Sequence, residues 1–159
     1  MAEHPAKRWL KRLAEPLRPR LRPGVLIIGA QKAGTSALQG RRVLLADDTP
    51  FMAMATERYL RQAGLEVHTV DDGLAAWEAL QDNEYDVVVT DLRMPELDGN
   101  SLLSRIQSHD HTAHVPVVAL TDDATSAEGF NAYAPKLDHA DLMAALTAVL
   151  VERREEVAA

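Results

Sequence analysis

The stretch EYDVVVTDLRMPELDG, Glu84 to Gly99, decides how the chain is read. Three valines and a threonine run straight into Asp91, and a Pro-x-x-Asp-Gly turn follows. Apolar and β-branched residues in an unbroken run favour a buried strand. Ending such a strand on a carboxylate costs free energy unless something charged meets it. The partner has to come from elsewhere in the chain.

Working outward, the same texture repeats. RVLLADD (residues 42–48), LEVHTV (65–70), VPVVALT (115–121) and AYAPK (132–136) read as further strands. Between them TPFMAMATERYLRQAG reads as a helix, with Thr49 ahead of Pro50, a face made of Met52, Ala55, Tyr59 and Ala63, and Gly64 at its end. DDGLAAWEALQ is a helix expected to bury Ala76, Trp77 and Leu80, and GNSLLSRIQS is another. The last, DHADLMAALTAVLVERR, carries Leu142, Ala145, Leu146, Val149 and Leu150 at helical spacing, with Asp138 placed to cap its start. Five alternations of strand and helix predict an α/β fold, a doubly wound five-stranded parallel sheet with helices on both faces.

In such a sheet a site forms outside the carboxyl ends of the strands. Those ends here are Asp47-Asp48, Asp91, Thr121 and Lys136. Three carboxylates brought together resist ionising at once, and a divalent cation relieves this. Hard oxygen ligands with room for a phosphate oxygen suit Mg²⁺. Asp91 is then placed as a nucleophile toward phosphorus. The Thr121 hydroxyl and the Lys136 ammonium are placed to bind the remaining phosphoryl oxygens. Each residue alone has a plain structural reading, as a helix cap, a turn residue or a surface lysine; it is their joint position that carries the chemistry.

LLADDTP, VVVTDLRMPELDG, VVALT and AYAPK, in this order, resemble the receiver domain of two-component response regulators over roughly Arg42 to Leu150. The resemblance implies the flavodoxin-like receiver fold. It also implies a phosphorelay in which Asp91 accepts phosphate from the phosphohistidine of a histidine kinase or phosphotransfer domain. Asp48 and Asp91 would ligate Mg²⁺ directly, Asp47 through water, and the backbone carbonyl of Arg93 would be a further ligand. Thr121 would be the switch hydroxyl, Tyr133 the switch aromatic and Lys136 the phosphate-contacting lysine, while Gly99 would permit the turn that shapes the loop after Asp91. The protein would be no enzyme beyond its own phosphorylation and dephosphorylation, and would act on an output protein. LLADDTPFM and the Lys-Leu-Asp ending are similar to receivers of chemotaxis-type hybrid kinases.

Two features depart from the family. Leu137 follows the lysine where proline is usual, and Pro135 precedes it. The segment DDATSAEGFNAYAP between Thr121 and Lys136 is about two helical turns short. The fourth helix is therefore expected to be one turn or absent. A shortened output face raises an alternative, a pseudo-receiver that keeps the fold as an interaction module and takes no phosphate.

Charge divides the chain. Residues 1–42 hold ten Lys or Arg against Glu3 and Glu15, a net of +8, and the remainder nets −15. Residues 1–40 are expected to be a leader outside the domain, 41–152 the receiver and 153–159 a tail. Trp9, Leu10, Leu13 and Leu17 give residues 1–22 a short basic apolar stripe, for which membrane contact is the less favoured reading beside a solvated leader. GVLIIGAQKAGTSALQG (24–40) looks like the phosphosulfate-binding loop of sulfotransferases, which would make Lys32, Gly34, Thr35 and Ser36 a nucleotide cradle. The match covers only these few residues and lacks the spacing of a nucleotide triphosphatase loop. A phosphosulfate-binding fragment is the third reading. No apolar run is long enough to span a membrane, nothing points to nucleic acid, and the lack of cysteine fits a reducing cytoplasm. HDHTAH supplies His109, His111 and His114, and in the absence of a matching carboxylate or thiolate cluster a solvated helix-to-strand loop is expected there.

Overall fold

Val43, Leu44, Leu45 and Ala46 are all buried, yet alternate residues enter different cores. This follows from the two-residue period of a strand lying between two helical layers. The computed structural model of the protein describes residues 38–158. Five strands, β1 (Arg42–Ala46), β2 (Glu66–Val70), β3 (Val87–Asp91), β4 (Val117–Leu120) and β5 (Ala132–Ala134), form one parallel sheet in the order β2-β1-β3-β4-β5. Four helices cover it: α1 (Pro50–Gln62), α2 (Gly73–Asp82), α3 (Gly99–Ser108) and α4 (His139–Ala158). Residues 153–158, expected as a tail, continue α4.

Val43, Val87, Val89 and Val118 pack under Leu60 of α1 and Leu142, Leu146 and Val149 of α4. Leu44, Val88, Val117 and Ala119 pack under Ala76 and Leu80 of α2 and Leu102, Leu103 and Ile106 of α3. The sheet is doubly wound, as the alternation of elements requires. Caps fall on aspartates: Asp72 accepts from the Ala75 N–H, Asp98 from Ser101 and Asp138 from Asp141.

The face of α1 differs from expectation. Ala53, Thr56 and Leu60 are buried, whereas Met52, Ala55, Tyr59 and Ala63 are only half-buried. The helix is turned by one residue, about 100°. Leu60 is thereby aimed into the core, and Tyr59 is left at the side to stack on His139 of α4, with ring centroids 4.5 Å apart. Trp77 is likewise half-buried rather than part of the α2 core.

Among the described residues no helix joins β4 to β5, where the sequence predicts one turn or none. Successive i to i+3 bonds, Ser126 to Asp123, Ala127 to Ala124 and Phe130 to Ala127, make a run of turns instead. The Asp123 carboxylate organises it, accepting from Ser126 and Thr125. Those bonds hold its carboxyl down at about 2. Ala127 and Phe130 drop from the turns into the α2/α3 core and fill the space a helix would cover. Asn131 then pins the segment to β4, exchanging hydrogen bonds with the backbone of Val117.

Candidate functional site

All five strands point the same way, so the carboxyl ends of β1, β3, β4 and β5 share one edge. Asp47 and Asp48 follow β1, Asp91 closes β3, Thr121 follows β4 and Lys136 stands two residues past β5. One carboxylate oxygen from each of Asp47, Asp48 and Asp91 lies within 4.8 Å of the others. Asp47 and Asp91 are buried, while Asp48 is exposed and opens the cluster to solvent.

The charge that meets Asp91 is Lys136, whose Nζ is 2.9 Å from Asp91 Oδ1. The same oxygen accepts the backbone N–H of Leu92 at 2.7 Å and, at a longer 3.4 Å, that of Arg93. Sequence reasoning missed these two donors, because every residue but proline has an N–H and only the path of the loop aims one. Asp47 Oδ1 accepts from the Thr49 N–H at 2.9 Å, which ties the cluster to the start of α1.

One ammonium against three carboxylates leaves the cluster short of positive charge. Burial, reinforced by Asp91 and Asp48, pushes the Asp47 carboxyl above its ordinary range, against the lowering effects of the Thr49 N–H and Lys136. A cation of hard, oxygen-seeking type fits such a donor set. Because the folded-state value is raised, folded protein binds the proton more tightly than unfolded chain, so this group's contribution to stability worsens as pH rises through the acid range. Asp47→Asn is therefore expected to melt at a higher temperature than the parent at neutral pH without divalent metal. The gain should vanish below the ordinary aspartate range, as differential scanning calorimetry at several pH values would register.

Thr121 sits one residue beyond Leu120, the register partner of Asp91, so it lies just past the end of the adjoining strand at the same edge. It is buried, and its Oγ1 accepts the Asp123 N–H at 3.1 Å. Tyr133 is half-buried on β5 and packs against both cores. Arg93 is exposed on the loop after β3. Lys32, Gly34, Thr35 and Ser36, with the basic stripe of residues 1–22, lie outside the described residues.

Gly99 has a different part from the expected one. The left-handed residue of the loop is Glu96, at φ 66°, and not Gly99. A Cβ on Gly99 would stand 2.5 Å from the Asp91 carbonyl oxygen, so glycine is needed for the close approach of α3 to the end of β3. Gly73 does the same for α2, where a Cβ would come 1.9 Å from the Leu97 carbonyl oxygen. Where the fourth helix is missing, an open groove of about 1030 Å³ runs beside the cluster, with Asp48, Arg93, Met94, Thr125 and Ser126 among its walls.

Comparison with known proteins agrees with this geometry. The response regulator receiver domain family matches residues 43–149. A gliding motility regulatory protein of Myxococcus xanthus is 45% identical over 85 residues, 53% of this chain and 11% of that protein. The sensor histidine kinase GacS of Pseudomonas protegens is 35% identical over 97 residues, 59% of this chain and again 11% of the relative. The chain thus corresponds to a small part of either relative. The crystal structure of the receiver domain of a Pseudomonas aeruginosa sensor histidine kinase, with magnesium coordinated in its active-site cleft, superposes with a TM-score of 0.66 at 31% identity. That match covers 70% of this chain and 98% of the other. The order of the strands, the acidic edge and the match to residues 43–149 lead to one conclusion: the chain belongs to the response regulator receiver domains of two-component systems.

Proposed function

We propose that this receiver takes a phosphoryl group onto Asp91 from the phosphohistidine of a histidine kinase or phosphotransfer domain. The observation that carries the reading is the buried Asp91 carboxylate, 2.9 Å from Lys136 Nζ and within 4.8 Å of the oxygens of Asp47 and Asp48. Asp47, Asp48 and Asp91, joined by the Arg93 carbonyl, would hold Mg²⁺, which supplies electrostatic stabilisation of charge on the transferring group. The free oxygen of Asp91 attacks phosphorus, and the bond from phosphorus to the donor's imidazole nitrogen breaks. Lys136 and the Thr121 hydroxyl receive the negative charge on the equatorial oxygens. The groove over Asp48 leaves the donor side open.

Phosphorylation adds roughly 1.5 to 2 negative charges at this edge. Thr121 is one strand away and Tyr133 one strand further, so both are placed to respond. Output would be a protein contact, for which β5, α4 and the 122–130 turns are the candidate surface. Similarity to a gliding motility regulator supports a role in motility or chemotaxis-type signalling, for which a cytoplasmic location is proposed. Among the described residues no helix is long and apolar enough to cross a membrane. The receiver is proposed to span residues 41–152, although Leu38, at the end of the sulfotransferase-like stretch, is buried in the core of α1 and α4.

A second reading, the pseudo-receiver, is favoured by one observation, the turns that replace the fourth helix. Incubation of the full chain with acetyl phosphate and Mg²⁺, read by intact mass, separates the two. Gain of one phosphoryl group, lost when the metal is chelated, is expected. A folded chain that gains nothing would establish the pseudo-receiver.

A further inference from the structure

Trp77, on the outer side of α2, stands against two histidines of the loop that follows α3. Its ring centroid is 4.7 Å from that of His109 and 6.5 Å from that of His111, and the two imidazoles are 6.2 Å apart, edge to face. Each has one ring nitrogen on an oxygen acceptor. His109 Nδ1 lies 2.8 Å from the Arg105 carbonyl oxygen, and His111 Nε2 lies 3.1 Å from the Gln81 amide oxygen. Ser108 Oγ is a more distant neighbour of His109 Nδ1, at 3.4 Å.

A carbonyl or amide oxygen accepts and does not donate, so each of those nitrogens must carry the proton of its neutral ring. The lone pairs are left on His109 Nε2 and His111 Nδ1. This is how an outer carbonyl fixes the tautomer of a metal-binding histidine. We propose that His109 Nε2 and His111 Nδ1 form a two-imidazole site for a borderline divalent cation of the zinc class, with water completing the coordination.

Two imidazoles on one tetrahedral zinc, each about 2.0–2.1 Å from it, hold their ring centres roughly 5 Å apart. Closing from 6.2 Å needs a shift of about 1 Å, which two exposed side chains can make. Among the described residues no third His or carboxylate gathers with them, because the acidic trio is the only group of three ligands. Affinity is accordingly weaker than that of a closed structural site. Imidazole nitrogens select against Mg²⁺, whereas the carboxylate trio favours it, so the two sites divide cations by hardness. They also lie at opposite edges of the sheet, since α2 and α3 end where the strands begin.

The test is a Zn²⁺ titration of the full chain in excess Mg²⁺, followed by calorimetry and by ¹⁵N shifts of the histidine rings. One equivalent is expected to bind and to move His109 Nε2 and His111 Nδ1. Loss of an outer-shell partner alone costs about 10–100-fold in affinity, and loss of the ligands no less. The double variant His109→Ala/His111→Ala should therefore weaken binding at least about tenfold, with the chain still folded because both residues are exposed. His4→Ala and His114→Ala should bind as the parent does. Absence of heat, shifts confined to other nitrogens, or binding that survives the double variant would each overturn the site.

Discussion

Asp91→Ala is expected to gain no mass from acetyl phosphate and Mg²⁺ under conditions that load the parent, while folding as well as the parent does. The first half follows from the chemistry, because Asp47 is tied to the Thr49 N–H and the Lys136 ammonium sits 2.9 Å from Asp91. The second half needs a balance of opposing terms. The substitution removes acceptors for the Leu92 and Arg93 N–H groups and the Lys136 ion pair. A lost hydrogen bond costs about 1 kcal/mol, and Lys136 is exposed enough to be solvated, which discounts the pair. Against this, repulsion from Asp47 and Asp48 disappears, and that is part of what raises Asp47. The terms are comparable, so the net change should stay within about 2 kcal/mol. Asp91→Asn keeps the acceptor oxygen, loses the charge, and should be equally inert and at least as stable. Intact mass and urea unfolding of the two variants check both halves.

The second large effect concerns the turns that stand in for a helix. Phe130→Ala should destabilise the protein by about 3–5 kcal/mol, the usual range for truncating a fully buried phenylalanine. Phe130 is wholly inaccessible and anchors residues 124–131 in the core of Leu102, Leu103 and Ile106. With no helix to share the load, little can collapse into the space it leaves. Exposed Leu137, changed to alanine, should cost less than about 0.5 kcal/mol and serves as the contrast. Urea denaturation measures both. A Phe130 variant within 1 kcal/mol of the parent would mean that the segment is not fixed as described.

The strands were legible because runs such as VVVTD and RVLLA combine β-branched or apolar residues with abrupt polar ends. A parallel sheet then brings those ends together without further information. Asp47, Asp48, Asp91 and Lys136 converge for that reason, and the short spacing from Thr121 to Lys136 foretold the missing helix. The face of α1 was not legible. Thr56 is buried while Phe51 and Met54 are exposed, so apolar spacing alone did not mark the side that enters the core. The part played by Gly99 was misread because a turn and a close approach both call for glycine, and only coordinates separate them. The N–H groups on Asp91 leave no trace in side-chain identity.

One carboxylate, that of Asp91, is proposed to carry the phosphoryl group. Full-length protein loaded from acetyl phosphate and Mg²⁺ can be reduced with borohydride, which converts an acyl phosphate of aspartate to homoserine, and then digested and mapped by tandem mass spectrometry. Homoserine is expected at position 91 and nowhere else. Homoserine at position 47 or 48, or phosphate retained on a serine or threonine, would contradict it.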